Sequence, residues 1–169
     1  MLTLNLATFL AATGNYVQSW AGFLNSDFDT LEVYKDILEV LKAVCEASPY
    51  VMLDIELWKG EISSSALPHE TAFPFRDAIW NIGVLLLVPE TEDDAVEVFD
   101  KTTQMINDEW SKIQKYLNGV YLNYQMESLS QEEYPRQYWG DNLERLMELK
   151  AKYDPLNLFR HPQSVPLPA

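Results

Sequence analysis

Tyr121, Asn123 and Tyr124 stand together in the stretch Gly119–Gln125, GVYLNYQ. A phenol can take or give a proton and an amide can hold a polar ligand, so this trio could do acid/base work beside a bound molecule. A phenol with a reference pKa of about 10 needs a positive neighbour or a strong hydrogen bond to act as a base near neutral pH. The plain alternative is packing, since tyrosines at strand ends commonly fill a core or cover a sheet. Two carboxylates, Asp54 and Glu56, lie at i and i+2 in YVMLDIELW, a spacing that puts both on one face of a strand. They form either an acid/base pair or the solvent side of an antiparallel sheet, and the solvent side is the preferred reading. Trp58, Phe73, Phe75 and Trp80 fall on neighbouring predicted strands. They could wall a cavity for a flat apolar substrate, with Arg76 orienting an anionic group. Ordinary core and a structural salt bridge are the competing readings.

Each of these groups needs an element to hold it. Gly119–Gln125 alternates apolar and polar-capable residues, which predicts a strand with Tyr121 and Asn123 on one face and Tyr124 on the other. Leu2–Leu10 also alternates, and a turn around Gly14-Asn15 leads to a returning strand over Tyr16–Asn25. Leu31, Val33, Tyr34, Ile37, Leu38, Leu41 and Val44 recur at helical spacing, predicting a helix over 30–47 that opens with an Asp29-x-x-Glu32 capping box. Tyr50–Trp58 reads as a strand, Lys59–His69 as a loop and Ala72–Phe75 as a short strand. Ala78–Pro89, AIWNIGVLLLVP, is nearly continuously apolar, which predicts a central strand. A helix follows from Thr91-x-x-Asp94 to about Leu117, and another over Trp139–Tyr153 ends at Asp154-Pro155. This order predicts an α+β fold: an antiparallel sheet of about five strands, helices on one face and a C-terminal closing helix.

The 169 residues fit one domain, and 47% hydrophobic content supplies a core. A formal charge of −14 opposes binding to nucleic acid or to an anionic membrane surface. Cys45 is the only cysteine, so no internal disulfide can form, and it is expected to be a buried small hydrophobe. His69 and His161 lie far apart beside prolines, with no ligand cluster for a metal. No apolar run is long enough to span a membrane. The opening MLTLNLATFLAATG has no basic n-region, so the expectation leans to the cytoplasm over secretion.

The order Tyr-x-Asn-Tyr, then Trp-Gly-x-Asn-x-x-Arg-Leu-x-x-Leu-Lys-x-Lys-Tyr-Asp-Pro, then Asn-x-Phe-x-x-Pro-Gln-Ser resembles the C-terminal signature of berberine-bridge-enzyme-like FAD-linked oxidases. Upstream, Glu56–Gly60 (ELWKG) and Thr71–Arg76 (TAFPFR) are similar to a strand pair of that family's substrate domain. The resemblance implies a partial substrate-binding domain over 1–118 and a berberine-bridge-like segment over 119–169. It also implies oxidation of an alcohol or amine by hydride transfer to FAD, with oxygen as acceptor. Tyr121 would be the first choice of base, Tyr124 the second, and Asn123 a cofactor contact. Trp58, Phe73, Phe75, Arg76 and Trp80 would face a small hydrophobic or hydroxylated metabolite. Met126 stands where the family carries an acid, and Phe75 where a His often precedes the Arg. The family's flavin-binding half is expected to be missing, for there is no Gly-rich phosphate loop. FAD is therefore expected not to bind this chain alone. A separate flavin domain or a second copy in a homodimer would be the partner. Two other readings stay open: a flavin-free descendant that binds, isomerises or cyclises a hydrophobic metabolite, and a non-catalytic partner of a flavin subunit.

Overall fold

A computed structural model describes residues 14–168, so the strand expected over Leu2–Leu10 lies outside the described residues. Four strands, β1 (Asn15–Asn25), β2 (Val51–Leu57), β3 (Ala78–Pro89) and β4 (Leu117–Asn118), form one antiparallel sheet in the order β2-β3-β1-β4. β3 is internal, as its continuous apolar run requires. The helices are α1 (Leu31–Ala47), a short α2 (Glu61–Ser64), α3 (Ala95–Ile113), α4 (Tyr134–Trp139) and α5 (Leu143–Tyr153).

Helix α1 begins where Thr30 accepts the Val33 N–H at 3.3 Å, the usual work of an N-cap oxygen. The cap is thus one residue later than the Asp29 box expected, and Asp29 instead accepts the Tyr34 hydroxyl at 2.6 Å. Val33, Ile37, Val40, Leu41 and Val44 form its buried stripe. They pack with Ile106, Trp110 and Ile113 of α3 on Trp20, Leu24, Ile82, Val84, Leu86 and Val88 of the sheet. Each fully buried aliphatic side chain of this kind contributes about 1.5–3 kcal/mol relative to exposure. Cys45 is exposed, contrary to expectation. One residue beyond Val44 is a rotation of about 100°, enough to leave the stripe.

Two expected strands are absent and the two-residue β4 takes the place of one of them, so four strands stand among the described residues. Ala72–Phe75 is irregular, and the chain leaves the sheet after the two residues of β4. Gly119 turns it out at φ +67°, and the Tyr124 N–H then donates to the Tyr121 carbonyl at 2.8 Å, making a turn of what reads as a strand. Alternation over seven residues and β-propensity supported that strand, and both yield to packing.

The polar residues of the tail hold segments together. Asn142 donates from its amide to the carbonyls of Pro68 (2.6 Å) and Thr71 (2.9 Å), tying the start of α5 to the loop before β3. Asp154 ends α5, pairs with Lys150, and accepts the N–H groups of Leu158 (2.7 Å) and Phe159 (3.0 Å). The Lys150 ammonium holds the Asp154 carboxyl below the ordinary carboxylate range. Among the described residues no helix is long and apolar enough to cross a membrane, and no His, Cys, Asp and Glu cluster is placed to hold a metal.

Candidate functional site

The helices cover one face of the sheet, and every second residue points to the other. Strand register sets three rows across that open face: Phe23, Asn81 and Glu56; Ala21, Gly83 and Asp54; Ser19, Leu85 and Met52. Asp54 and Glu56 share a face, as their spacing predicts. They are half-buried instead of solvent-facing, because the tyrosine segment 119–126 folds back over them. Glu56 Oε2 accepts from the Asn81 amide at 3.0 Å and from Trp58 Nε1 at 2.9 Å. Asp54 is hydrogen-bonded to the Tyr124 phenol. Burial first, then that bond and the charges of Asp54 and Glu56, push Tyr124 up to about 12. Ser19 Oγ donates to the Gln125 carbonyl at 2.5 Å.

Tyr121 and Tyr124 do not diverge as strand residues would. Their rings meet edge-on at 5.3 Å, and Tyr121 also lies 4.7 Å from Trp58. The Tyr121 hydroxyl makes no hydrogen bond to another described residue. Beside the pair opens a cleft of ≈ 250 Å³ with Gly83 at its floor and Ser19, Met52, Asp54, Leu85 and Tyr124 around it. Asn123 is exposed and does not line this cleft.

The aromatic wall differs from the expected set by one residue lost and one gained. Trp80 faces the helices, where its Nε1 donates to the Tyr34 hydroxyl at 3.1 Å. Phe23 takes the central place, with ring centroids 5.0 Å from Trp58, 5.5 Å from Phe73 and 5.0 Å from Phe75. Phe75 is 6% exposed beneath Gly119 and acts as filler. Trp58 and Phe73 keep half-exposed faces. Arg76 is not turned to an anion: it donates to the carbonyls of Ile62 (2.7 Å) and Phe73 (3.3 Å) and to Thr71 Oγ1 (2.6 Å), and stacks on Phe73. It stabilises the loop that carries the wall. Met126, where an acid is expected by resemblance, is 5% exposed and packs in the core.

Sequence reasoning missed Phe23, Ser19, Asn81 and Gly83. The signal that finds them is parity: once Glu56 is paired with Asn81, every second residue of β1 and β3 falls on the same face. As a surface for a flavin, this face fits one end of the cofactor. Exposed edges of Trp58 and Tyr121 suit an uncharged ring, whereas the carboxylates and the engaged Arg76 do not suit a pyrophosphate.

Known proteins share these features. The family model described as "Berberine and berberine like" matches residues 120–166. A carbohydrate oxidase of Microdochium nivale is 31% identical over 69% of this chain and 23% of its own length. An uncharacterised FAD-linked oxidoreductase of Bacillus subtilis is 46% identical over 64% of this chain and 23% of its own. The solved structure of a chitooligosaccharide oxidase superposes with a TM-score of 0.75 at 25% identity, covering 92% of this chain and 33% of that one. The chain therefore spans about a quarter of the length of the curated relatives it matches. Fold, tail segment and relatives agree, and the chain belongs to the berberine-bridge-enzyme-like family of FAD-linked oxidoreductases.

Proposed function

We propose that this chain supplies the substrate-side wall of an FAD-linked oxidation of an alcohol or amine. The observation that carries the reading is the convergence of Tyr121, Tyr124, Asp54, Glu56 and Trp58 on the one sheet face the helices leave uncovered. Bound FAD would supply the hydride acceptor, reoxidised by oxygen. The chain's own groups divide the remaining work. Tyr124, protonated up to about 12 and hydrogen-bonded to Asp54, orients and does not serve as base near neutral pH. Tyr121, whose hydroxyl makes no hydrogen bond to another described residue, is the phenol left to take the substrate proton, once a positive group of the flavin-bearing partner lies beside it to hold the phenolate. Trp58 and Phe73 stack on the apolar part of the ligand.

Hydrogen-bond inventory narrows the ligand. The donors Asn81 Nδ2, Trp58 Nε1, Tyr124 Oη and Ser19 Oγ are already engaged on this face. Carboxylate oxygens of Asp54 and Glu56 retain accepting capacity. The Tyr121 hydroxyl stays available, so the two carboxylates and not a lack of donors set the preference: a ligand is favoured for its own donors, hydroxyls or a protonated amine, and a carboxylate is repelled. A flavin-bearing domain over the open face is the partner this reading requires.

The test has two parts. Hydroxylated, amine and carboxylate forms of one aromatic scaffold are titrated onto the chain while Trp58 fluorescence is followed; binding of the first two and not the third is expected. With a flavin-bearing partner present, Tyr121→Phe should lower turnover about a hundredfold, the loss of a general base. Preference for the carboxylate, or equal turnover in wild type and Tyr121→Phe, defeats the assignment.

A further inference from the structure

Residues 119–126 carry the phenols, yet no strand ladder holds them. We propose that Gln163 is a positioning residue: a latch by which the C-terminal tail sets where Tyr121 and Tyr124 stand. Its side-chain amide donates to the Met126 carbonyl at 2.8 Å, across 37 residues of sequence. Its side-chain carbonyl accepts the Tyr138 hydroxyl at 2.7 Å, and that hydroxyl oxygen accepts the Met126 N–H at 3.1 Å. Both backbone groups of Met126 are thereby satisfied in a closed ring of three hydrogen bonds. All three residues are buried: Gln163 is 7% exposed, Tyr138 2% and Met126 5%. The Met126 carbonyl also accepts the Leu129 N–H at 3.3 Å, a local turn bond, so Gln163 is the shorter of its two donors and the one that fixes Met126 against the distant tail.

The tail reaches Met126 already shaped. The Ser164 N–H donates to the His161 carbonyl at 3.1 Å, the His161 N–H to Ser164 Oγ at 3.3 Å, and the Gln163 N–H to His161 Nδ1 at 3.2 Å. Tyr134 donates its hydroxyl to the Ser164 carbonyl at 2.9 Å, and Val165 packs on the core. A turn ordered by its own bonds presents Gln163 with little further loss of entropy. The sheet holds the phenol segment at Gly119, whose carbonyl accepts the Phe23 N–H at 3.4 Å, at Gln125, whose carbonyl accepts from Ser19 Oγ, and through the Asp54–Tyr124 bond. The Val120 N–H donates to the Gln137 carbonyl at 2.8 Å, so α4 and the tail hold the segment from its other side, the tail doing so at Met126. The Pro-Gln-Ser of the tail acts on the candidate site through Met126 without touching a ligand. Its consequence for catalysis rests on the role proposed for Tyr121; the latch itself is tested without flavin.

Amide hydrogen exchange and ring-to-ring nuclear Overhauser effects are measured on the 169-residue chain. In Gln163→Leu, which keeps bulk but cannot hydrogen-bond, exchange at Met126 should quicken at least tenfold and the Tyr121–Tyr124 contact should fade. Val40 in α1 and Val84 in β3 should keep their protection. Unchanged Met126 exchange, or uniform acceleration everywhere, overturns the proposal; the second result would make Gln163 merely structural. Gln163→Glu guards against a variant that fails to fold. A protonated carboxyl reproduces both bonds, its carbonyl accepting from Tyr138 and its hydroxyl donating to Met126, whereas a carboxylate has no donor. The ring contact in this variant should be native-like in acid and fade as pH rises, with no such fading in wild type. The same contact at both extremes overturns the latch.

Discussion

The two faces of this sheet are built from alternate residues of the same strands, and their chemistry is opposite. Toward the helices point Trp20, Leu24, Val84, Leu86 and Val88, nearly all carbon and almost fully buried. Toward the open side point Ser19, Asp54, Glu56 and Asn81, most of their polar atoms matched to a neighbour. Asn81 Oδ1 is buried without a partner among the described residues, as are Thr103 Oγ1 and Asn157 Oδ1 elsewhere. The two tryptophans nearest the ends of β2 and β3 show the same division. Trp80 bonds to a helix residue, Trp58 to a carboxylate of the open face. The larger apolar cluster lies on the helix face, while the open face combines a smaller one around Phe23 and Phe75 with its polar groups.

That division can be broken by substitution. Leu86→Ala should lose about 3–5 kcal/mol, the cost of emptying a fully buried leucine site, read from the urea midpoint. The largest effect reachable from the open side is Gly119→Ala. A Cβ there would stand 2.0 Å from Phe75 Cζ at a φ of +67°, so about 2–3 kcal/mol should be lost. The Tyr121–Trp58 ring contact should go with it, seen in the near-ultraviolet circular dichroism.

Smaller changes sharpen the contrast. Trp80→Phe should cost about 1 kcal/mol through its lost bond to Tyr34 and leave ligand affinity untouched. Trp58→Phe should show the reverse pattern, since it frees a Glu56 lone pair and alters the wall. An open-face ligand whose affinity follows Trp80 would erase the distinction. The smallest effect is in Tyr124. Its folded pKa of about 12 lies above the ordinary phenol value of 10.0, so its contribution to stability is complete below pH 10 and is lost as pH rises through 12. Asp54→Asn should lower the Tyr124 value only part of the way, because burial is the larger cause. Ring-labelled carbon NMR reads it directly, and a value unmoved by Asp54→Asn would remove Asp54 from the site.

Much of this was legible in the chain alone where the information is local. Helix α1 follows from apolar residues at helical spacing, although its cap is Thr30 and not the expected Asp29, and β3 from an apolar run too continuous for an edge. The i, i+2 spacing of Asp54 and Glu56 correctly put them on one face, since side-chain alternation is a property of any strand. The tail's fixed residues carried the family, and the structure shows several of them acting as staples. Backbone periodicity requires nothing beyond a few neighbouring residues, which is why these features could be read.

Only the tertiary structure decided what covers what. Strand register separates Trp80 from Trp58 and brings in Phe23, and register depends on pairing partners distant in sequence. Gly119 reads as the start of a strand because nothing local reveals that Phe75, 44 positions earlier in the chain by residue number, fills the space a Cβ would need. The acids read as solvent-facing because the segment that shelters them joins the sheet at β4, far downstream. Gln163 reads as a tail residue until Met126 is found beneath it. Periodicity determined the elements; non-local packing, which no window of sequence contains, placed the phenols beside the carboxylates.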